Sequence, residues 1–200
     1  MTVKHNASLL LTYNLAYGGA TIDSALVAPY LPTVSSVAEQ VENEWFPTYA
    51  SHPSFAPWSS NDTLFAFFDG INDVGNSWWI GDEAMNSLYT NIFAVYRGLV
   101  DELYYAGARN FLFVDVPPVD RSPLVLANTP EQQAIEHAAL LRWNGLLATM
   151  AKAVKKDLTG VNVFTASAWD VFTQVLDNPA SYVETAGYKN VTAYCNAYQK

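Results

Sequence analysis

Thr63-Leu-Phe-Ala-Phe-Phe-Asp-Gly-Ile-Asn-Asp73 runs from an unbroken apolar stretch straight into an abrupt turn. Thr63 to Phe68 is short, rich in aromatics and free of polar alternation. A strand of that kind belongs to a sheet covered on both faces. Asp69-Gly70 stops it, and Gly70 lets the backbone turn sharply. Three more runs of this type are present: Ser8 to Tyr13, ending at Asn14 and the Gly18-Gly19 turn; Asn110 to Val116, stopped by Pro117-Pro118; and Val161 to Phe164. Helical patterns separate them. Val34, Val37, Val41 and Trp45 recur at three- and four-residue steps within Thr33 to Trp45, as do Leu88, Ile92, Val95, Leu99 and Leu103 ahead of Gly107, a C-terminal stop. Thr129-Pro130-Glu131-Gln132 reads as a helix start, Thr as N-cap and Pro at the first helical position, for a helix reaching about Lys156. Trp169 to Leu176 is a fourth helix, and the tail from Asn178 is irregular. Strands alternating with helices predict an α/β fold of three α/β/α layers around a parallel sheet, in one domain over residues 1–200.

The composition agrees. The chain has 200 residues, half of them apolar, with 10 Phe, 12 Tyr and 6 Trp, which is ample for a core. Nineteen acids against ten bases leave a net charge of −9, so a nucleic-acid partner is disfavoured. No apolar run approaches the length of a membrane span. No Cys/His cluster has metal spacing, no phosphate loop is present, and neither metal nor cofactor is expected. A plain nucleotide-binding α/β domain is disfavoured for the same reason.

Ligands of parallel α/β sheets sit beyond the carboxyl ends of the strands. The segments of interest are therefore 14–20, 69–76, 117–122 and the residues near Ala166. Asn72 presents a neutral amide donor there, and a donor aimed at a developing oxyanion is worth roughly 10²–10³ in rate. From spacing alone, an Asn-Asp turn bonding its own backbone is the favoured reading. Gly18-Gly19 would bring backbone N–H groups close to a ligand, or simply make a tight turn. Trp78-Trp79 could stack on a sugar ring or cap the core beneath a loop, the two readings being even. Tyr49, Phe55 and Trp58 fit a packed loop, His52 a loop, His137 a surface or groove position, and Asp115 and Asp120-Arg121 a salt bridge or turn.

Taken together, Asn14-Leu-Ala-Tyr-Gly-Gly19 and Gly70-Ile-Asn-Asp73 resemble the second and third sequence blocks of the SGNH (GDSL-type) esterases and lipases. Gly107 to Arg121 and Trp143-Asn144 are similar to the fungal secreted branch, which includes acetylesterases acting on carbohydrates (carbohydrate esterase family 16). The likeness covers about Asn6 to Tyr198. It implies a flavodoxin-like sheet and a serine esterase acting on a small ester or acetylated saccharide. It also implies that the Gly19 N–H and the Asn72 side chain are two of three oxyanion donors, with Gly18 the competing choice for the glycine.

Against that pattern, the Gly-Asp-Ser nucleophile block and the Asp-x-x-His base block are absent from this chain. Asp23-Ser24 lacks the glycine and lies on the wrong side of Gly19. None of His5, His52 and His137 has an Asp three residues before it. The expectation is a single SGNH-like domain that is incomplete, a truncated piece of a longer secreted esterase with its first, central strand missing. As written it is expected to be inactive; the alternative is a carbohydrate-binding pseudoenzyme that keeps the cleft. Sequons at Asn6, Asn61 and Asn190 suggest a secreted, glycosylated monomer, and Cys195 is expected to pair with a cysteine beyond Lys200.

Overall fold

The computed structural model describes residues 10–195; Asn6 and His5 lie outside them. Three parallel strands, β1 (Leu64–Phe67), β2 (Asn110–Val114) and β3 (Asn162–Ala166), form one sheet in the order β1-β2-β3. The register pairs Phe65 with Phe111 and Phe67 with Phe113, and Phe111 with Val163. Ahead of β1 come α1 (Val37–Glu39), a π-helical stretch (Gln40–Trp45) and α2 (Phe46–Tyr49). The short α3 (Ile71–Gly75) follows β1, and α4 (Asp82–Tyr105) leads to β2. After β2 come α5 (Pro123–Leu126) and α6 (Pro130–Asp157), and α7 (Ala168–Asp177) follows β3.

With strands in sequential order, right-handed crossovers put both connecting helices on one face of the sheet. Phe65, Phe67, Phe111 and Phe113 point to that face. Tyr96 of α4 packs on Phe67 and Phe113, and Trp143 of α6 packs on Tyr89 and Phe93 of α4. Leu140, Leu147, Met150 and Val154 complete the core from α6. The predicted start of α6 is confirmed: Thr129 accepts from the Gln132 N–H, and the Gln132 side chain accepts from the Thr129 N–H.

The fold is α/β, and these residues build the sheet and one helical layer of the three-layer arrangement. Three expectations need correction. The first is coverage of both sheet faces. Leu64, Phe68 and Phe164 are 50%, 52% and 53% exposed, because none of the described helices packs on their side. The second is a strand at Ser8 to Tyr13. Ser8 and Leu9 lie outside the described residues, and residues 10–13 form no ladder with β1, which is an edge strand among the described residues. Tyr13 is held instead by the Tyr49 ring, 5.2 Å away, and by its hydroxyl on the Pro57 carbonyl. The third is the helix from Thr33. It begins at Val37, where Ser36 and Glu39 make a capping box, and it widens into the π-helix that turns Trp45 onto Phe65 and Trp58.

Gly70 has φ +115°, and a Cβ there would lie 2.2 Å from the Trp143 indole nitrogen. Gly160 also has a positive φ, +73°, but faces open space. Urea denaturation should show Gly70→Ala destabilised by about 3 kcal/mol or more, from strain plus overpacking. Gly160→Ala should lose only about 1 kcal/mol.

Candidate active site

Gly70 caps α3 in a left-handed conformation, and Asn72, Asp73 and Asn76 project from the single turn that follows. All three reach back to the loop around Gly19. The Asn72 Nδ2 donates to the Ala20 carbonyl at 2.8 Å. The Asp73 Oδ1 accepts from the Ile22 N–H at 3.0 Å, and the Asn76 Nδ2 donates to the Ala28 carbonyl at 3.2 Å. From the other side, the Val37 and Ala38 N–H groups at the start of α1 donate to the carbonyls of Thr21 and Ile22. The loop is thus braced from two elements, and the structure brings Gly19 and Asn72 together beyond the end of β1.

The two glycines are not equivalent. Gly19 has φ +91°, and a Cβ on it would lie 2.3 Å from the Tyr30 ring. Gly18 has open space around it. The Gly19 N–H has no hydrogen-bond acceptor among the described residues. One Asn72 amide hydrogen is committed to Ala20. The Asn72 reading is therefore neither a free donor nor a self-bonded turn, but a long-range strut with one hydrogen to spare.

Trp78 is half-buried and packs against the core, whereas Trp79 is 58% exposed; their rings meet edge-on at 5.5 Å. Only Trp79 offers a ring face to solvent. Asn61 and Asn190 are both exposed. In the Pro-rich loop Trp58 is buried and stacked on His52, while Phe55 is exposed.

Asp120-Arg121 lies in a turn and forms an ion pair as expected, whereas Asp115 takes a different role. Asp115 accepts from the Ser167 hydroxyl and the Trp169 N–H, both at 2.8 Å, and so caps α7. Asp120 Oδ2 lies 2.8 Å from the His137 Nδ1, and Arg121 pairs with Asp177 at 2.7 Å. Seventeen residues separate Asp120 from His137, so only the α6 packing reveals that pair. Among the described residues no group of three or more His, Cys, Asp or Glu could hold a metal ion. None of the described helices is long and apolar enough to cross a membrane.

Two carboxyls beside the site sit in a poor environment for charge. Burial pushes Asp69 up to about 6. Burial pushes Asp73 up to about 7, with Asp69 adding repulsion and the Ile22 N–H opposing the rise.

The class set by fold and site is an α/β protein with a parallel sheet and a donor-bearing loop at the strand ends. Comparison with known proteins narrows it. The chain is 40% identical over 192 residues, 96% of its length and 61% of the relative's, to an acetylesterase of Thermothelomyces thermophilus. It is 25% identical over 190 residues, 94% of its length and 40% of the relative's, to the thermolabile hemolysin of Vibrio parahaemolyticus. The chain therefore spans less than two thirds of the length of the curated relatives it matches. No family model matches it.

Asp69 and Asp73 bind their protons more tightly in the folded state than at the ordinary value of 3.8. The stability they contribute is complete below that value and is lost as pH rises through about 6 and about 7. The melting temperature should accordingly fall between about pH 4.5 and about pH 8, and Asp73→Asn should flatten that fall. Among the glycines, Gly19→Ala should destabilise by about 2–3 kcal/mol and Gly18→Ala by less than about 1 kcal/mol, read by thermal unfolding.

Proposed function

We propose that this chain carries the oxyanion hole and one cleft wall of a secreted serine ester hydrolase of the SGNH type. Its substrate would be a small ester, an acetylated carbohydrate in particular. The observation that carries the reading is the meeting of Gly19 and Asn72. They come from segments 53 residues apart, at the end of β1, in a chain similar to an acetylesterase. In acyl transfer a serine hydroxyl attacks the ester carbonyl while a base takes its proton, and negative charge grows on the carbonyl oxygen. The free Gly19 N–H and the second Asn72 amide hydrogen are suited to receive that oxygen, each worth roughly 10²–10³ in rate. The Asn72 amide is anchored on the Ala20 carbonyl before any ligand arrives, and a fixed dipole is what gives such a donor its effect.

The nucleophile and its base belong, in this reading, to sequence outside these 200 residues. Trp79 offers a stacking face for a sugar ring. Asn61 and Asn190, with Asn6, are the glycan acceptors of the secreted protein.

Two measurements test the reading. Acetate, the carboxylate product, should shift the Gly19 amide and the Asn72 side-chain amide resonances of the 15N-labelled chain and leave the Gly160 amide unmoved. Asn72→Ala should weaken the Gly19 shift. Acetate shifts absent at both donors would overturn the donor assignment. The 200-residue chain should also hydrolyse p-nitrophenyl acetate no faster than its Asn72→Ala variant. An Asn72-dependent turnover by this chain alone would show that a nucleophile lies within it.

A further inference from the structure

We propose that Asp73 is the positioning residue of the donor pair, holding the Gly19 loop in place through the Ile22 amide. The proposal rests on the reading of Gly19 and Asn72 as oxyanion donors.

Asp73 is fully buried, and so are Thr21 and Ile22, which it faces. The Ile22 N–H has no route to water, and the Asp73 Oδ1 is its acceptor at 3.0 Å. The Asp73 backbone is itself pinned, because the Ser77 hydroxyl donates to its carbonyl at 2.6 Å. Its neighbour Asn72 grips Ala20, so two successive side chains of one helical turn hold the residues directly after Gly19. The segment directly after Gly19 cannot slide along α3 without breaking these bonds.

Nothing else about this position accounts for an acid. The charged and titratable groups that face Asp73 are Asp69, Asp23, Tyr89 and Tyr96, and none is basic. Its Oδ2 is buried with no partner among the described residues. No ion pair returns the cost of burying the carboxyl. A residue placed for packing would be apolar; this one is explained by the amide it accepts. Asp73 touches neither substrate nor reacting atoms, so its effect passes through Ile22.

The test is residue-resolved hydrogen exchange on the 15N-labelled 200-residue chain, without acetate. Asp73→Ala should speed exchange of the Ile22 amide about tenfold or more relative to Val100 and Phe111, and should move the Gly19 amide and Asn72 side-chain resonances. Asp73→Asn keeps an acceptor oxygen and should hold Ile22 within about threefold of the parent. Where the alanine variant does not fold, Asp73→Ser serves, its hydroxyl being too short to reach Ile22. A purely structural role would instead speed Val100 and Phe111 as much as Ile22. That result, or an Ile22 amide as slow in Asp73→Ala as in the parent, overturns the proposal. The acetate shift of the parent chain reports on the donor reading separately.

Discussion

The Trp143 indole occupies the space that a side chain at residue 70 would fill. Gly70 must therefore lack one, and it must also hold a left-handed backbone that other residues adopt only under strain. Trp143 is fully buried and rests on Tyr89 and Phe93, so α6, α4 and the end of β1 converge at one point. The turn at Gly70 sets the direction of α3, and α3 is too short to set its own. Asn72, Asp73 and Asn76 point at the Gly19 loop because of that turn. The placement of these three side chains is thus inherited from a packing contact in the core.

The site is built at some cost to stability. Asp69 and Asp73 sit among aromatic rings with no cation nearby, and burial raises both above the ordinary carboxylate range. Gly19 and Gly70 both use backbone conformations that other residues avoid. Strain and desolvation collected at one end of a sheet are the pattern expected of a functional site rather than of a scaffold. The core beneath is ordinary by comparison: stacked Phe rings from adjacent strands, covered by the amphipathic face of α4. It supplies the rigidity on which the costly end depends.

The sheet itself is asymmetric. Phe67, Phe111 and Phe113 are buried on the face that carries α4 and Phe65 packs under Trp45 and Trp58, whereas Leu64, Phe68 and Phe164 meet solvent. Sequential strand order and right-handed crossovers force this, since both connections must return over the same face. An apolar strand has no way of recording which of its two faces will be covered by its own crossover helices. The reading of Thr63 to Phe68 as covered on both sides followed from residue type alone and met that limit.

Much of the molecule was legible in the residues themselves, for local reasons. Three strands and the helices α4, α6 and α7 are encoded by apolar periodicity, and the start of α6 by its capping box. The turn at Gly70 is encoded by the absence of a side chain. Even the candidate pair Gly19 and Asn72 could be named from two short blocks. Other features had no local signal. The π-helix at Gln40–Trp45, the capping of α7 by Asp115, the Asp120–His137 pair and the absence of a strand at residues 10–13 each depend on partners distant in sequence. The difference in surroundings between Gly18 and Gly19 belongs to this group, because the Tyr30 ring packs against one of them. Sequence determined which segments are strands, helices and turns, since backbone preference and periodicity act over a few residues. Tertiary structure alone decided which polar side chains reach the Gly19 loop and which face of the sheet is covered, since those depend on how distant elements fill one another's space.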